Sequence, residues 1–466
     1  MASAVSSRTS PSTPAAPREP RTLVVFFERM QLPNFSAEPI TRKIKDVIHE
    51  TIAPGDSVSL VIWSRYGKTE HVEFTGDLGE IDAELDKLGQ ELQHAQLNDT
   101  PSLREEMLRS KDFQRQASTN PVATASATTA LMLPMLMAYG EMKMRVNAIN
   151  STIATMAGIE GKKVMIVATR RLGEVAGAEY AFVSGLAFIP YELRQRFGTA
   201  QLFKSMTDMA NASGVTIYPI YPLGVGTAMA DAGMSTAPSE VAESLTYQNE
   251  LIGQNQVAQR TGGLAAGNTH DILELLPRVA DDITDYYSLA YRVTPTGKDT
   301  ARQVVVKTKN PELRVRSRRE FVEKSDETRM RDRLRATFFR AGQEQPQIDI
   351  DAKIGARKKR GQSTVPLEVR IPIADLTTLP QGGGKHAGSF SVYVASAADL
   401  DELSDITRKT QPFELKESQL EAARKGYFTY DVDLTLNAKA KYVAVGVVDE
   451  VGRTFGMKRL SLENLK

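Results

Sequence analysis

Lys163–Thr169 reads KVMIVAT and Val215–Tyr221 reads VTIYPIY. Both are short, unbroken apolar runs rich in β-branched residues, the pattern of strands buried on both faces of a sheet. Between them a helical stretch over about Thr199–Ala212 runs into Asn211-Ala212-Ser213-Gly214, where glycine supplies a helix stop. Strand, helix and strand in that order specify a parallel sheet with helices on its faces. Leu23–Phe27 (LVVFF) and Ser57–Trp63 (SVSLVIW) are two further runs of the same kind. Between those two, Ile40, Ile44, Val47 and Ile48 recur at helical spacing, with Ser36 as the expected N-cap. His71–Phe74 reads as a shorter strand at an edge.

Outward from these strands the pattern is less regular. Gly79–Leu97 is an acidic amphipathic helix with Ile81, Leu85, Leu88 and Leu92 on one stripe. Asn98–Thr129 is polar and Ser/Thr-rich and reads as a loop or loosely packed insertion, whereas Leu131–Ala157 is Met-rich and helical in spite of Pro134. Its methionines read as adaptable core filler, since a methionine-lined metal site would want Cys or His company. Leu172–Arg196 reads as an irregular loop, and Ser239–Arg260 as a helix leading into Thr261-Gly262-Gly263. Ile272–Asp285 is another helix, with Ile272, Leu275, Leu276, Val279 and Ile283 on one side. Tyr287–Val293 and Gln303–Lys309 read as paired strands.

After Phe321 the grammar changes. Ser325 caps a short basic helix, with Asp326 and Glu327 in its first turn. Beyond Gly342 the apolar period becomes two: Ile348 to Ile354, Val365 to Ile373, Phe428 to Leu436 and Val443 to Val447 all alternate with polar residues. Half-buried strands at such spacing specify an antiparallel sandwich of immunoglobulin or fibronectin type. The expected organisation is a tail or linker at 1–22, an α/β domain at 23–321 with a polar insertion at about 98–129, a connecting helix or linker at 322–345, and a β-sandwich at 346–466.

Composition narrows the chemistry. At 466 residues the chain is too long for one ordinary core. The net charge of +1 gives no reason to expect nucleic acid as a partner. No apolar run approaches the roughly 20 residues that span a bilayer. The absence of cysteine removes disulfides, thiol catalysis and zinc–thiolate sites together. The five histidines are scattered, with no pair at i,i+4 to suggest a zinc site. No phosphate loop and no Gly-x-Ser-x-Gly nucleophile elbow is present. Met1–Pro20 is Ser/Thr/Pro/Ala-rich without an apolar centre, so as written it is not a signal peptide.

Several stretches in order carry a family resemblance: Gly161-Lys162-Lys163-Val164 to Thr169, Ser213-Gly214-Val215-Thr216-Ile217-Tyr218, Thr261-Gly262-Gly263, Asp285-Tyr286-Tyr287-Ser288-Leu289-Ala290-Tyr291, and Val315-Arg316-Ser317-Arg318-Arg319-Glu320-Phe321. Together they resemble the von Willebrand factor A (vWA)-related proteins of acidobacterial type, over about Leu23–Phe321. The resemblance implies a doubly wound, mostly parallel, Rossmann-like sheet whose first and fourth strands are neighbours. It also implies export, which this N-terminus does not supply. In that family Mg²⁺ sits at the sheet's C-terminal edge, held by Asp-x-Ser-x-Ser after the first strand, a later Thr, and an Asp after the fourth strand. Here the first-strand positions are Glu28, Met30 and Leu32, and only Glu28 can ligate. Loop threonines (Thr119, Thr124, Thr128 and Thr129) could supply the later hydroxyl. The fourth strand ends Ala168-Thr169-Arg170-Arg171, placing cations where the family has a carboxylate. Mg²⁺ wants hard oxygen ligands around an octahedron, so this ligand set points to no metal cofactor, with Glu28 as the weak candidate ligand.

Two readings of the site follow. Glu28, Arg170 and Arg171 are either solvated loop charges, or a charge cluster that replaces the metal at a partner-binding edge, with Glu28 paired to Arg170. The expected function is non-catalytic protein binding or scaffolding through a metal-independent vWA domain, with the partner protein unidentified. The alternatives are a metal-dependent adhesion module with unusual ligands and a hydrolase built in the sheet-edge crevice.

Overall fold

The computed structural model describes residues 19–29, 34–64, 69–94, 123–169, 171–183, 186–221, 240–265, 272–287, 289, 296–313, 315–339, 347–356, 363–398, 404–437 and 439–462. Arg170 and most of the Asn98–Thr129 insertion lie outside these residues. The chain folds as a mixed α/β protein with one mostly parallel sheet and several antiparallel ones.

The first sheet has five strands: β1 (Arg21–Glu28), β2 (Ser57–Trp63), β3 (Glu70–Thr75), β4 (Lys162–Ala168) and β5 (Val215–Ile220). Their order is β3-β2-β1-β4-β5. All neighbours run parallel except β3, which pairs antiparallel with β2 at an edge. β1 begins at Arg21, inside the stretch read as a tail, because the Arg21 N–H and guanidinium bond the buried carboxylate of Asp56. Every residue of β1 and β2 is buried. Alternate side chains go to opposite faces, and so feed two separate cores. Leu23, Val25 and Phe27 lie in one with Leu60, Ile62, Val164 and Ile166, while Val24 and Phe26 lie in the other with Trp63, Met165 and Val167.

Helices cover both faces. α1 (Asn34–Thr51) and α2 (Leu78–His94) close the first core with the Ile40, Ile44, Ile81 and Leu85 stripes that the sequence pattern marks. α1 starts at Asn34, two residues before the expected cap Ser36. α3 (Ala123–Met156) spans the second face through Met142, Val146, Ile149 and Ile153, and it contains Pro134. The stretch read as an irregular loop holds two short helices, α4 (Ala178–Val183) and α5 (Tyr191–Phe197). They form because Ala178, Ala181, Leu193 and Phe197 find an apolar wall in Leu131, Met135 and Ala138 of α3. α6 (Ala200–Ser213) stops at Gly214 in the left-handed conformation, φ 71°. α7 (Glu240–Thr261) and α8 (Ile272–Thr284) complete the layers.

The strand pairing expected between Tyr287–Val293 and Gln303–Lys309 takes another form. β6 is Thr300–Gln303, and it pairs with β7, Glu320–Glu323. Charge fixes this register: Arg302 meets Glu323 through Nε at 3.0 Å and Nη2 at 2.7 Å. Most of the other proposed strand, residues 290–293, lies outside the described residues.

The C-terminal region is built from two facing antiparallel sheets. One has three strands, with β9 (Ser363–Pro372) between β8 (Asp351–Ile354) and β13 (Tyr427–Leu436). The other contains β10 (Leu379–Gln381), β11 (Lys385–Ala397), β12 (Thr407–Lys416), β14 (Tyr442–Asp449) and β15 (Phe455–Ser461). Val365, Leu367, Val369 and Ile371 meet Phe390, Val392, Val443, Val445 and Val447 in the core between them.

The segment between the two regions is not a free connector. α9 (Asp326–Thr337) is capped by Ser325, whose hydroxyl accepts from Thr328 N–H. One apolar cluster runs from Met165 and Val167 through Met330 and Leu334 to Tyr393, Ala395 and Ala444. Two glycines admit the helix. A Cβ on Gly158 would stand 2.4 Å from the Arg333 Cα, and one on Gly446 would stand 2.4 Å from the Met330 methyl. Arg459 of β15 then crosses back, bonding Glu73 at 2.7 Å and the Phe338 carbonyl.

Candidate functional site

Parallel strands deliver the residues that follow them to one edge, the C-terminal edge, where open α/β sheets place their ligand crevice. β1 ends there with Glu28, and β4 ends one strand away with Ala168, followed by Thr169. Phe27 lies opposite Ala168 in register, so Glu28 and Thr169 leave the sheet side by side. The Thr169 hydroxyl donates to Glu28 Oε2, and the Thr169 N–H is held by the Ile220 carbonyl of β5 at 3.1 Å.

The guanidinium that meets Glu28 comes from α3. Arg145 Nε lies 3.1 Å from Oε2 and Nη2 lies 2.5 Å from Oε1, a two-pronged pair in which both groups are buried. Planar guanidinium and carboxylate match in this geometry better than any other side-chain ions. Helical phase puts Arg145 there: it follows Met142 and precedes Ile149 on the stripe turned toward the sheet. Its guanidinium also lies 5.6 Å from the Trp63 ring centroid, so Trp63, otherwise a core residue, contributes a cation–π contact. Burial pushes the Glu28 carboxyl up. The Arg145 charge and hydrogen bonds, with the Thr169 hydroxyl, outweigh that and hold it below its ordinary value.

Arg171 extends the cluster. Its carbonyl accepts from Arg145 Nη1 at 3.2 Å. Its own guanidinium reaches Glu141 of α3 at 3.3 Å and Glu179 of α4 at 3.7 Å. α7 locks the following residues from above. Glu250 accepts from Leu172 N–H at 2.6 Å, and Asn249 bonds both the N–H and the carbonyl of Val175. This approach needs glycine, because a Cβ on Gly253 would stand 1.8 Å from the Leu172 carbonyl. Burial, then the nearby Glu179 charge, pushes the Glu250 carboxyl up to about 8, so it carries its proton at neutral pH.

The structure thus brings Glu28 and Arg171 into one buried network, joined through Arg145. Arg170, the residue expected to pair with Glu28, lies outside the described residues. The sequence reading missed Arg145, Glu141, Glu179 and Glu250. A signal was present for Glu141 and Arg145, which with Lys143 are the three charged residues of α3, but their partners lie on other elements. As a metal site the donor set fits poorly. Both Glu28 oxygens are engaged by a cation, and among the described residues no three His, Cys, Asp or Glu converge to hold an ion. Among the described residues no helix is long and apolar enough to cross a membrane.

No protein-family model matches the chain, and no curated protein matches it. Among solved structures, one described as the X-ray structure of Northeast Structural Genomics Consortium target SoR45 is similar at 10% identity, over 26% of this chain and 88% of that chain. The TM-score is 0.16, a likeness that carries no argument about fold or function.

Proposed function

We propose that the chain is a non-catalytic protein-binding or scaffolding module, built on a metal-independent vWA-like domain followed by a sandwich domain. The observation that carries this reading is the pairing of Arg145 with Glu28 at the C-terminal edge of the sheet. In the vWA arrangement that edge offers a partner an open coordination position on Mg²⁺. Here a fixed guanidinium takes up the carboxylate that would hold the ion. The strand order, with β1 beside β4, agrees with the vWA arrangement and supports the reading. A built-in cation keeps the edge ordered without an ion, and it leaves the surface around the partly exposed Arg171 and the β1 exit at Arg29 for a partner. Arg29 is itself held there by Glu70 and Glu91.

Neither alternative has comparable support. A metal-dependent adhesion module needs ligands that the arginines oppose. A hydrolase needs a nucleophile beside a free base, and the Thr169 hydroxyl instead donates to a carboxylate already paired with Arg145. The test is partner capture by the purified full chain in EDTA. Capture that persists in EDTA and is lost in Arg171→Glu supports the proposal. Capture that requires Mg²⁺ returns the adhesion reading, and turnover of ester or phosphate substrates that is lost in Thr169→Val returns the hydrolase.

A further inference from the structure

The near-neutral charge of the whole chain hides one strong segregation. From Lys298 to Arg319 there are eight lysines and arginines against two carboxylates, Asp299 and Glu312, a net charge of +6. The whole chain carries +1, so everything outside this stretch amounts to −5. The stretch is an arm. β6 and β7 pair at its base, and the Val304 N–H bonds the Arg319 carbonyl at 2.8 Å, which carries the two limbs one residue further. At the far end the chain turns, with the Leu313 N–H on the Asn310 carbonyl at 3.3 Å. Every residue from Lys307 to Leu313 is exposed.

Apolar residues stand among the charges. Val305 is 75%, Leu313 60% and Val315 43% exposed. Single exposed aliphatics are ordinary on a protein surface, but here three share one basic arm. Two of the cations are occupied, Arg302 by Glu323 and Arg316 by Asp282 of α8. Lys307, Lys309 and Arg319 are exposed. The positive field continues at the base of the arm. Burial, then the charges of Lys324 and Arg318, pushes the Lys163 ammonium down to about 8. Lys162, the first residue of β4, bonds the carbonyl of the same Asp282 that holds Arg316. The arm therefore lies at the N-terminal edge of the sheet, opposite the Glu28–Arg145 pair.

We propose that this arm docks the protein on an anionic phospholipid bilayer, with Val305 and Leu313 entering the headgroup layer and the lysines and arginines lying against lipid phosphates. Attraction to anionic lipid and burial of a few apolar side chains add in such a contact, and the arm supplies both. A tip exposed at every residue is convex, and it does not offer the ~800 Å² that a stable folded partner covers. A nucleic acid would use the charges, but valine and leucine give its phosphates nothing, and stacking on bases takes aromatic rings. The proposal stands apart from the vWA reading. A bilayer at the N-terminal edge leaves the C-terminal edge open to a protein partner.

Co-sedimentation of the purified full chain with vesicles tests it. The expected result is binding to phosphatidylcholine vesicles that contain phosphatidylglycerol, none to phosphatidylcholine alone, and weakening by salt. Each cation near an anionic surface contributes about fivefold in affinity, so the double variant Lys307→Gln, Lys309→Gln weakens binding on the order of 25-fold. The double variant Val305→Ser, Leu313→Ser weakens it too, at unchanged charge. All four positions are exposed, and circular dichroism checks that each variant folds. A wild type that ignores the mixed vesicles overturns the proposal, as does binding that the lysine variant leaves unchanged. Binding that the serine variant leaves unchanged, or duplex DNA or polyglutamate bound as tightly as the mixed vesicles, shows a different kind of docking surface and overturns it as well.

Discussion

Arg145 grips both carboxylate oxygens of Glu28, at 2.5 and 3.1 Å, across 117 residues of chain. The pair joins the end of the central strand to the helix that crosses one face of the sheet. It lies at the C-terminal edge of the sheet, where open α/β sheets place their ligand crevice. Because both groups are buried, removing one leaves the other as an uncompensated charge.

That asymmetry gives the first prediction. Arg145→Ala lowers unfolding stability by about 3–5 kcal/mol, the usual cost of breaking a buried ion pair. The double replacement Glu28→Gln, Arg145→Met costs less than Arg145→Ala alone, since no lone charge remains. Urea unfolding at neutral pH, with m-values compared, measures both.

Glu250 gives a pH prediction of definite sign. Its carboxyl titrates near 8 in the folded chain against 4.5 ordinarily. Between those values the folded state holds a proton that the unfolded state has released, so this group makes stability fall as pH rises. Glu250→Gln keeps an acceptor for Leu172 N–H. It raises the melting temperature at neutral to mildly alkaline pH and leaves it unchanged below about pH 4. Glu28 acts in the opposite sense: its carboxyl is held low, and the stability it contributes is lost as pH falls below 4.5.

The glycines beside α9 should differ in cost. At Gly158 the obstacle is the Arg333 and Asp332 backbone, which cannot swing away. At Gly446 it is chiefly the mobile Met330 methyl. Gly158→Ala therefore destabilises by roughly 1–3 kcal/mol, the range for overpacking, and Gly446→Ala by less. Thermal melts of the two variants decide the order, and equal losses would show that α9 shifts as a unit.

Much of the first sheet was legible because its strands are buried on both faces, which makes Leu23–Phe27, Ser57–Trp63, Lys163–Thr169 and Val215–Tyr221 continuous apolar runs. In the C-terminal region β8, β9, β13 and β14 were legible from apolar residues recurring at period two, whereas β10, β11, β12 and β15 were not read as strands. The α4 and α5 helices were hidden because each is too short to show a period. Their apolar residues are explained only by the wall that α3 offers them. At the site, Glu28 was visible from its place at a strand end. The role of Arg145 was not, because an ion-pair partner 117 residues away leaves no local spacing to read.

Magnesium calorimetry on the purified full chain, wild type beside Glu28→Ala, tests the central claim most directly. With Arg145 occupying both Glu28 oxygens, the account predicts no saturable heat in either protein and no rise in melting temperature on adding Mg²⁺. A stoichiometric Mg²⁺ heat in the wild type, with a matching rise in melting temperature that Glu28→Ala abolishes, would contradict it.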